Sequence, residues 1–244
     1  MNDKARHKAL LACGLLLVLG VSAAADDHVV SELKRTYMGR TYPAQASDVW
    51  LGADRTFIRE GPVIIITRHD LKKRWLVLPG RKKYLEEPLA ASPEDKEPAK
   101  PARIQEYGFD YRPLYEWTLQ ETPETATLGG LSCRKIIARG EAEYASEVRE
   151  MWVAAAPPID IKAYYEKIVK PSLEERLAQL YQGNEDLRKG LAIKSRITRE
   201  PAIASTSVTE ITVTKIDRTK PPDGTYEVPA GLRKVMTRAE LYAR

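Results

Sequence analysis

The sequence predicts a mainly β fold: an antiparallel sheet with one helical unit laid over a face of it. Three observations predict this. Apolar and polar residues alternate with period two over most of the chain, as in Tyr115, Trp117 and Leu119 against Glu116, Thr118 and Gln120. Two short runs, Val63-Ile64-Ile65-Ile66 and Trp75-Leu76-Val77-Leu78, are apolar on both faces and flank a polar stretch suited to a turn. One segment, 160–182, changes to helical spacing.

Residues 1–25 read as an export signal. Lys4, Arg6 and Lys8 form a basic start, Ala9 to Val21 an apolar run, and Ser22-Ala23-Ala24-Ala25 a small-residue cleavage site. Cleavage is expected after Ala25, so that the mature chain begins at Asp26, in the periplasm or outside the cell. The apolar run is shorter than the ~20 residues a spanning helix needs, and no later stretch approaches that length without charges. Leu10-Leu11-Ala12-Cys13 approaches a lipoprotein cleavage box, which would tether the chain at Cys13. The box follows the basic cluster too closely, and the apolar run continues past it, so the ordinary signal is preferred. Residues 26–244 are then expected to form a single domain.

Along that domain, strands are expected near 30–38, 46–52, 54–60, 104–111, 131–139, 146–154 and 224–228. A hairpin over 62–78 turns at Asp70. Leu191, Ile193 and Ile197 alternate with Lys194, Arg196 and Thr198, and 206–216 is rich in β-branched residues. "SPEDKEPAKP", 92–101, carries three prolines and mixed charge, and predicts a flexible loop inside the domain. In 160–182, Ile161, Tyr164, Tyr165 and Ile168 fall on one helical stripe, Lys170-Pro171 interrupts, and Leu173, Leu177 and Leu180 form a second stripe. Ser172 and Glu175 have capping-box spacing, and Gly183-Asn184 suits the stop. Such stripes need a surface, and an open sheet supplies one.

The formal charge is +5, and the signal accounts for three basic residues and one acid. The remaining bases are interleaved with acids, which argues against nucleic-acid binding. Arg81-Lys82-Lys83 is the local exception, read as a solvated turn, with transient contact to an anionic membrane surface as the alternative. His28 and His69 are too far apart in sequence to suggest a zinc site, and no HExxH, CxxC, calcium-loop or phosphate-loop pattern occurs. "GGLSCR" has Arg134 where a nucleophile elbow needs glycine. No catalytic residue, metal or cofactor is expected, and the chain is read as a non-enzyme. After export Cys133 is the one remaining cysteine, so an internal disulfide is ruled out. It is expected to pack as a small apolar residue beside Leu131, on a strand begun by the Gly129-Gly130 turn. An intermolecular disulfide is the rival reading.

Several motifs recur in one order: Gly130 and Cys133 in "LGGLSCRKI", Trp152-Val153 ending the next strand, and Tyr226, Val228, Pro229 and Gly231 in "DGTYEVPAGLRKV". Together with the hairpins ending in Lys82-Lys83-Tyr84, they resemble exported domains of the LolA-like superfamily. The resemblance implies an unclosed β-barrel: a curved antiparallel sheet around a helical lid. It also implies a concave face able to bind a lipid, an acyl chain or a lipoprotein segment. The chain departs from the superfamily's carriers in having only two phenylalanines, Phe57 and Phe109, and in the 92–101 loop. Trp50, Trp75, Trp117 and Trp152 lie on separate predicted strands and are the candidate cavity lining, with Tyr164, Ile168 and Leu177 from the helical unit. The alternative is a structural or interaction module of the envelope with a filled core, whose protein partner adds a strand at an open edge. A continuous apolar cavity of about 300 Å³ or more favours the carrier.

Cys133→Ala should cost roughly 1 kcal/mol, the scale of a modest core truncation, in urea unfolding. Rapid labelling of the native thiol by a bulky reagent would contradict the packed reading.

Overall fold

A computed structural model describes residues 25–89, 115–173 and 175–243. The predicted signal with Cys13, the 92–101 loop, the expected 104–111 strand and Phe109 lie outside these. The first meander comprises β1 (Asp26–Tyr37), β2 (Arg40–Thr41), β3 (Gln45–Leu51), β4 (Arg55–Glu60), β5 (Val63–Arg68), β6 (Lys73–Leu78) and β7 (Lys83–Pro88). The second comprises β8 (Glu116–Leu128), β9 (Leu131–Ala142), β10 (Ala145–Ala154), β11 (Leu191–Pro201) and β12 (Ser207–Thr219). Both belong to one unclosed, curved sheet of order β13-β7-β6-β5-β4-β3-β1-β12-β11-β10-β9-β8, in which β13 is Arg233–Val235 and β2 pairs β1. Strand β1 is therefore the seam between the meanders.

The alternation read from sequence sets the two faces. Register carries one face from Val29 through Val49, Ile58, Ile65 and Leu76 to Leu85, and the other from His28 through Trp50, Phe57 and Ile66 to Trp75. The Gly129-Gly130 turn joins β8 to β9 with both residues at positive φ, a hairpin geometry that glycine adopts without strain. Bulges interrupt β1–β12 at Val30/Ser31, β10–β11 at Trp152/Val153 and β8–β9 between Glu121 and Thr125. Each adds local twist, and together they bend the second meander.

The connection from β10 to β11 supplies the helical cover: α1 (Ile161–Tyr164), a π-helical turn Tyr165–Val169, a 3-10 turn Lys170–Ser172, α2 (Glu175–Gly183) and α3 (Glu185–Lys189). Buried Tyr165, Leu177, Tyr181 and Leu187 pack on Ile136, Ala138, Met151 and Val153 of the sheet. The sequence located this unit but misjudged its detail. The π turn holds an extra residue, so the stripe passes from Tyr165 to Val169, and Ile168 remains half-buried. Ser172 does not form a capping box: its hydroxyl donates back to the Val169 carbonyl at 2.6 Å. Asn184 does more than stop α2, since its side chain accepts from Leu187 N and caps α3.

The C-terminal tail is the larger surprise. The expected 224–228 strand does not form, because Pro221, Pro222 and Pro229 bracket it and cannot donate to a ladder. Instead the tail crosses the face opposite the helices, where Tyr226 and Leu232 pack against Trp50, Phe57, Ile64, Ile66 and Val77. It then adds β13 parallel to β7, and α4 (Arg238–Tyr242) turns onto the helix-side face. There Leu241 is fully buried against Leu76, Leu78 and Leu85. The basic Arg81-Lys82-Lys83 stretch, read as a solvated turn, serves this strap. Lys83 Nζ donates to the carbonyls of Glu240 (2.9 Å) and Ala243 (2.8 Å), and Arg81 donates to that of Tyr242. Cations here satisfy the last carbonyls of α4 and oppose its dipole.

Leu241→Ala should destabilise the protein by about 2–5 kcal/mol in urea unfolding, as for a fully packed leucine. The exposed Tyr242→Ala should change little.

Candidate functional site

A trough runs along the helix-covered face of β1, β10, β11 and β12. Its helix-covered end is a cavity of about 200 Å³, with Val29, Met151, Val153, Val169, Leu187 and Val213 among its walls. Along the strands the same face continues two residues at a time, from Ser31 to Leu33, Ile197 to Arg199 and Ile211 towards Ser207. These second positions line a wider space of about 620 Å³, bounded also by Arg35, Tyr37, Tyr42 and Gln45. The two chambers thus lie end to end, one beneath the helices and mostly apolar but with Arg149 in its wall, the other more polar and bordered by Arg35 and Arg199.

Polar groups also line the helix-covered chamber: Ser31, Ser195, Arg149 and three tyrosines. Tyr165 lines it, and its buried hydroxyl has no hydrogen-bond partner. Tyr181 donates to Met151 Sδ at 2.8 Å. Burial raises the phenols of Tyr165 and Tyr181, and burial with the nearby Glu60 carboxylate pushes Tyr164 up to about 12. All three therefore present neutral hydroxyls at neutral pH. Between the chambers lies buried Glu147, 2.5 Å from Arg149 Nε on the helix-covered side and 2.5 Å from Arg199 Nε on the other side. Two guanidinium partners offset the cost of burying this carboxylate.

A second polar group anchors the strands beneath the trough, and no sequence pattern marks it. Asp26, Asp27 and His28 open β1 and are all buried. Asp26 accepts from the Tyr226 hydroxyl at 2.7 Å, which ties the tail to the seam. Asp27 accepts from Arg218 Nε at 3.0 Å and from Asp160 N at 2.7 Å, where the helical cover begins. His28 bridges Asp48 on β3 (2.9 Å) and Asp217 on β12 (3.1 Å), with its ring stacked 3.8 Å from Trp50. Near-terminal charged residues read as solvated in a sequence, and only pairing across strands reveals these contacts.

The seven candidate lining residues separate. Tyr164 lines the helix-covered chamber. Leu177 is fully buried against the sheet as an anchor of the cover, and Ile168 yields its place to Val169. The four tryptophans do not share a cavity. Trp50 and Trp75 lie on the opposite face under Tyr226. Trp152 packs in the cluster of Cys133 and Ile193, with Lys135 Nζ 5.9 Å from its ring. Trp117 is on the helix side, beneath Arg149 at 5.4 Å and against Gly140, where a Cβ would come within 3.0 Å of the ring. Strand separation alone does not say which face an aromatic takes; register does. Cys133 is free and 2% exposed, and burial raises its thiol pKa, as expected of a packed residue.

Among the described residues no helix is long and apolar enough to cross a membrane, and no group of side chains is arranged to hold a metal ion. No family model and no curated protein matches the chain in sequence. Solved structures similar to it include the following three. PNGF-II is 13% identical over 90% of this chain and 32% of its own, with TM-score 0.35, so the chain spans about a third of that protein's length. A DUF1329 family protein from Desulfovibrio piger is 12% identical over 87% of this chain and 93% of its own, with TM-score 0.33. A LolA superfamily protein from Nitrosomonas europaea is 11% identical over 85% and 91%, with TM-score 0.29. An unclosed curved sheet with helices on one face is the architecture that the motif resemblance led us to expect.

The opposite face carries a testable acid dependence. The Trp75 indole donates to Glu86 Oε2 at 2.9 Å, and Lys234 and Lys73 add charge, which lowers the Glu86 pKa to about 2. A depressed carboxylate stabilises the fold above its unfolded pKa, about 4.3, and this contribution disappears as pH falls through the folded value. The stability difference between the wild type and Glu86→Gln should therefore be constant above about pH 5 and shrink between there and about pH 2. Urea midpoints measured across that range check it. A difference that does not change with pH would count against the assigned hydrogen bond.

Proposed function

We propose that this chain is an exported cell-envelope protein that holds the acyl chain of a lipid or lipoprotein in the trough and performs no chemistry on it. The observation that carries the reading is the end-to-end alignment of a mostly apolar, helix-covered chamber with a more polar one bordered by Arg35 and Arg199 along β1, β11 and β12. An amphiphile has the same division. Its hydrocarbon end suits Val29, Met151, Val153 and Ile211, and its polar end suits the mouth by Arg35 and Arg199. The unpartnered Tyr165 hydroxyl supplies a donor inside the apolar end. The predicted signal at 1–25 supports export, and the motif resemblance supports the same ligand class.

One observation favours the filled-core module instead. The helix-covered chamber alone, about 200 Å³, falls below the ~300 Å³ typical of small-molecule pockets. The carrier reading therefore requires that both chambers be occupied together, or that the cover lift. The cover is suited to move as a unit. Its rim is tied by polar contacts such as Lys167 Nζ to the Ala53 carbonyl (2.6 Å) and Arg134 to Asp186 (3.0 Å), while its underside rests on apolar side chains.

Lipids extracted from protein purified without detergent, and read by mass spectrometry, should include acyl-chain species. Ser195 faces the trough between Met151 and Ile211. Ser195→Phe should weaken binding of a fluorescent polyene fatty acid by at least about tenfold, or about 1.4 kcal/mol. Hydrogen exchange over 160–182 should slow when the fatty acid binds. No copurifying lipid, together with high and unchanged protection, would favour the filled-core module. N-terminal sequencing of envelope-fractionated protein should return Asp-Asp-His, and a lipid-modified Cys13 would overturn the cleavage site.

A further inference from the structure

We propose that the open end of the trough docks on a lipid–water interface through the tips of the hairpins that surround it. Strand directions bring three turns to that end: β1–β2, β9–β10 and β11–β12. Tyr37 pairs with Ser207, Pro201 pairs with Ala145, and Ala202 N donates to the Tyr144 carbonyl at 2.9 Å, so the three turns are neighbours. Five large apolar side chains are exposed there: Tyr37, Met38, Tyr42, Tyr144 and Ile203. Met38 is 66% exposed and Ile203 is 98% exposed. The helical cover closes the opposite end, where β10 leaves the sheet and β11 re-enters it.

The placement of Met38 is costly in water. Met38 and Gly39 both take positive φ, at 51° and 71°, in a two-residue hairpin turn. Asn or Gly is the usual first residue of such a turn, and Met there leaves two thirds of its surface exposed. An apolar side chain held on a strained, tightly turned tip has a use if the tip enters an apolar medium. The form of the patch argues for lipid over a protein partner. Its most exposed apolar groups, Met38 and Ile203, stand on separate tips beside an opening that Tyr37 and Tyr42 line, rather than together on one face. An interface accepts separate tips, and tyrosines are at home at headgroup depth. The β1–β2 hairpin adds Lys34, Arg35 and Arg40 with no acid between 33 and 44, which suits anionic headgroups, although Glu143 and Glu200 flank the other two turns. Docked in this way, the mouth by Arg35 and Arg199 faces the bilayer, and an acyl chain can pass between membrane and trough without crossing bulk water.

The inference goes beyond the binding reading, and its test does not depend on trough occupancy. The mature protein is mixed with vesicles of phosphatidylcholine, or of phosphatidylcholine with phosphatidylglycerol, and recovered by flotation. Binding to the mixed vesicles is expected. The double variant Met38→Asp/Ile203→Asp should lower the partition coefficient by at least about tenfold. Leu71→Asp, on the β5–β6 turn at the other end, should leave it unchanged. Arg35→Glu/Arg40→Glu should weaken binding to the mixed vesicles more than to phosphatidylcholine alone. All substituted tip positions are exposed, so unchanged urea midpoints are expected. Equal flotation of the double variant, or no flotation of the wild type on either vesicle, would overturn the proposal. Concentration-dependent dimerisation in sedimentation, lost in the double variant without any vesicle binding, would assign the tips to a second copy of the chain.

Discussion

The structure depends on the first three residues of β1. This strand alone joins the two meanders, and Asp26, Asp27 and His28 tie it to the tail, the helical cover, β3 and β12. Each is buried, and a buried charge is tolerable only when paired and hydrogen-bonded. Removing one partner leaves the other uncompensated, a penalty of about 3–5 kcal/mol for a broken buried pair. These residues therefore specify the arrangement more than they add to its stability. A slip of β1 by one position would turn Asp27 and His28 to the wrong faces and break every tie together.

From that seam the two faces acquire different roles. The first meander is covered on the side opposite the helices by Tyr226 and Leu232, and on the helix side by Leu241. The strap thus encloses the β7 edge, one of the sheet's open ends, and limits its capacity to pair with other strands. The second meander keeps its helix-side face for α2 and α3, which rest mainly on β8, β9 and β10. The interval over β1 and β12 is left with fewer apolar contacts, and the trough lies in that interval. The Glu147 pair with Arg149 and Arg199 divides it into an apolar and a polar half.

This division connects packing with function. In the carrier reading we propose, an amphiphile gains from a site with the same polarity gradient, and the cover lifts without disturbing the strand ladders, to which it contributes no strand. The polar contacts at the rim of the cover are partly exposed and individually weak. The apolar contacts of Leu177, Tyr181 and Leu187 are buried and account for most of the hold. A ligand that replaces part of that apolar contact would compete with the cover for the same surface.

The sequence by itself determined the elements that local pattern dictates. Period-two alternation marked most of the described strands, though not β2, β7 or β13, the apolar runs marked the β5–β6 hairpin, and the switch to helical spacing marked the cover between β10 and β11. Cys133 was legible because a small apolar residue beside Leu131 has one natural place in a strand. Tertiary structure decided whatever depends on register or long-range pairing. The face each tryptophan takes follows from strand register, and so the supposed ring of four dispersed, leaving Tyr164 at the cavity. The inward stripe moved from Ile168 to Val169 through a single π turn, which spacing alone does not reveal. The tail looked like a strand and became a strap, because its prolines forbid a ladder and Tyr226 finds Asp26 two hundred residues away in the chain. Local propensity is written in neighbouring residues, whereas a buried charge is explained only by the partner that the fold brings to it.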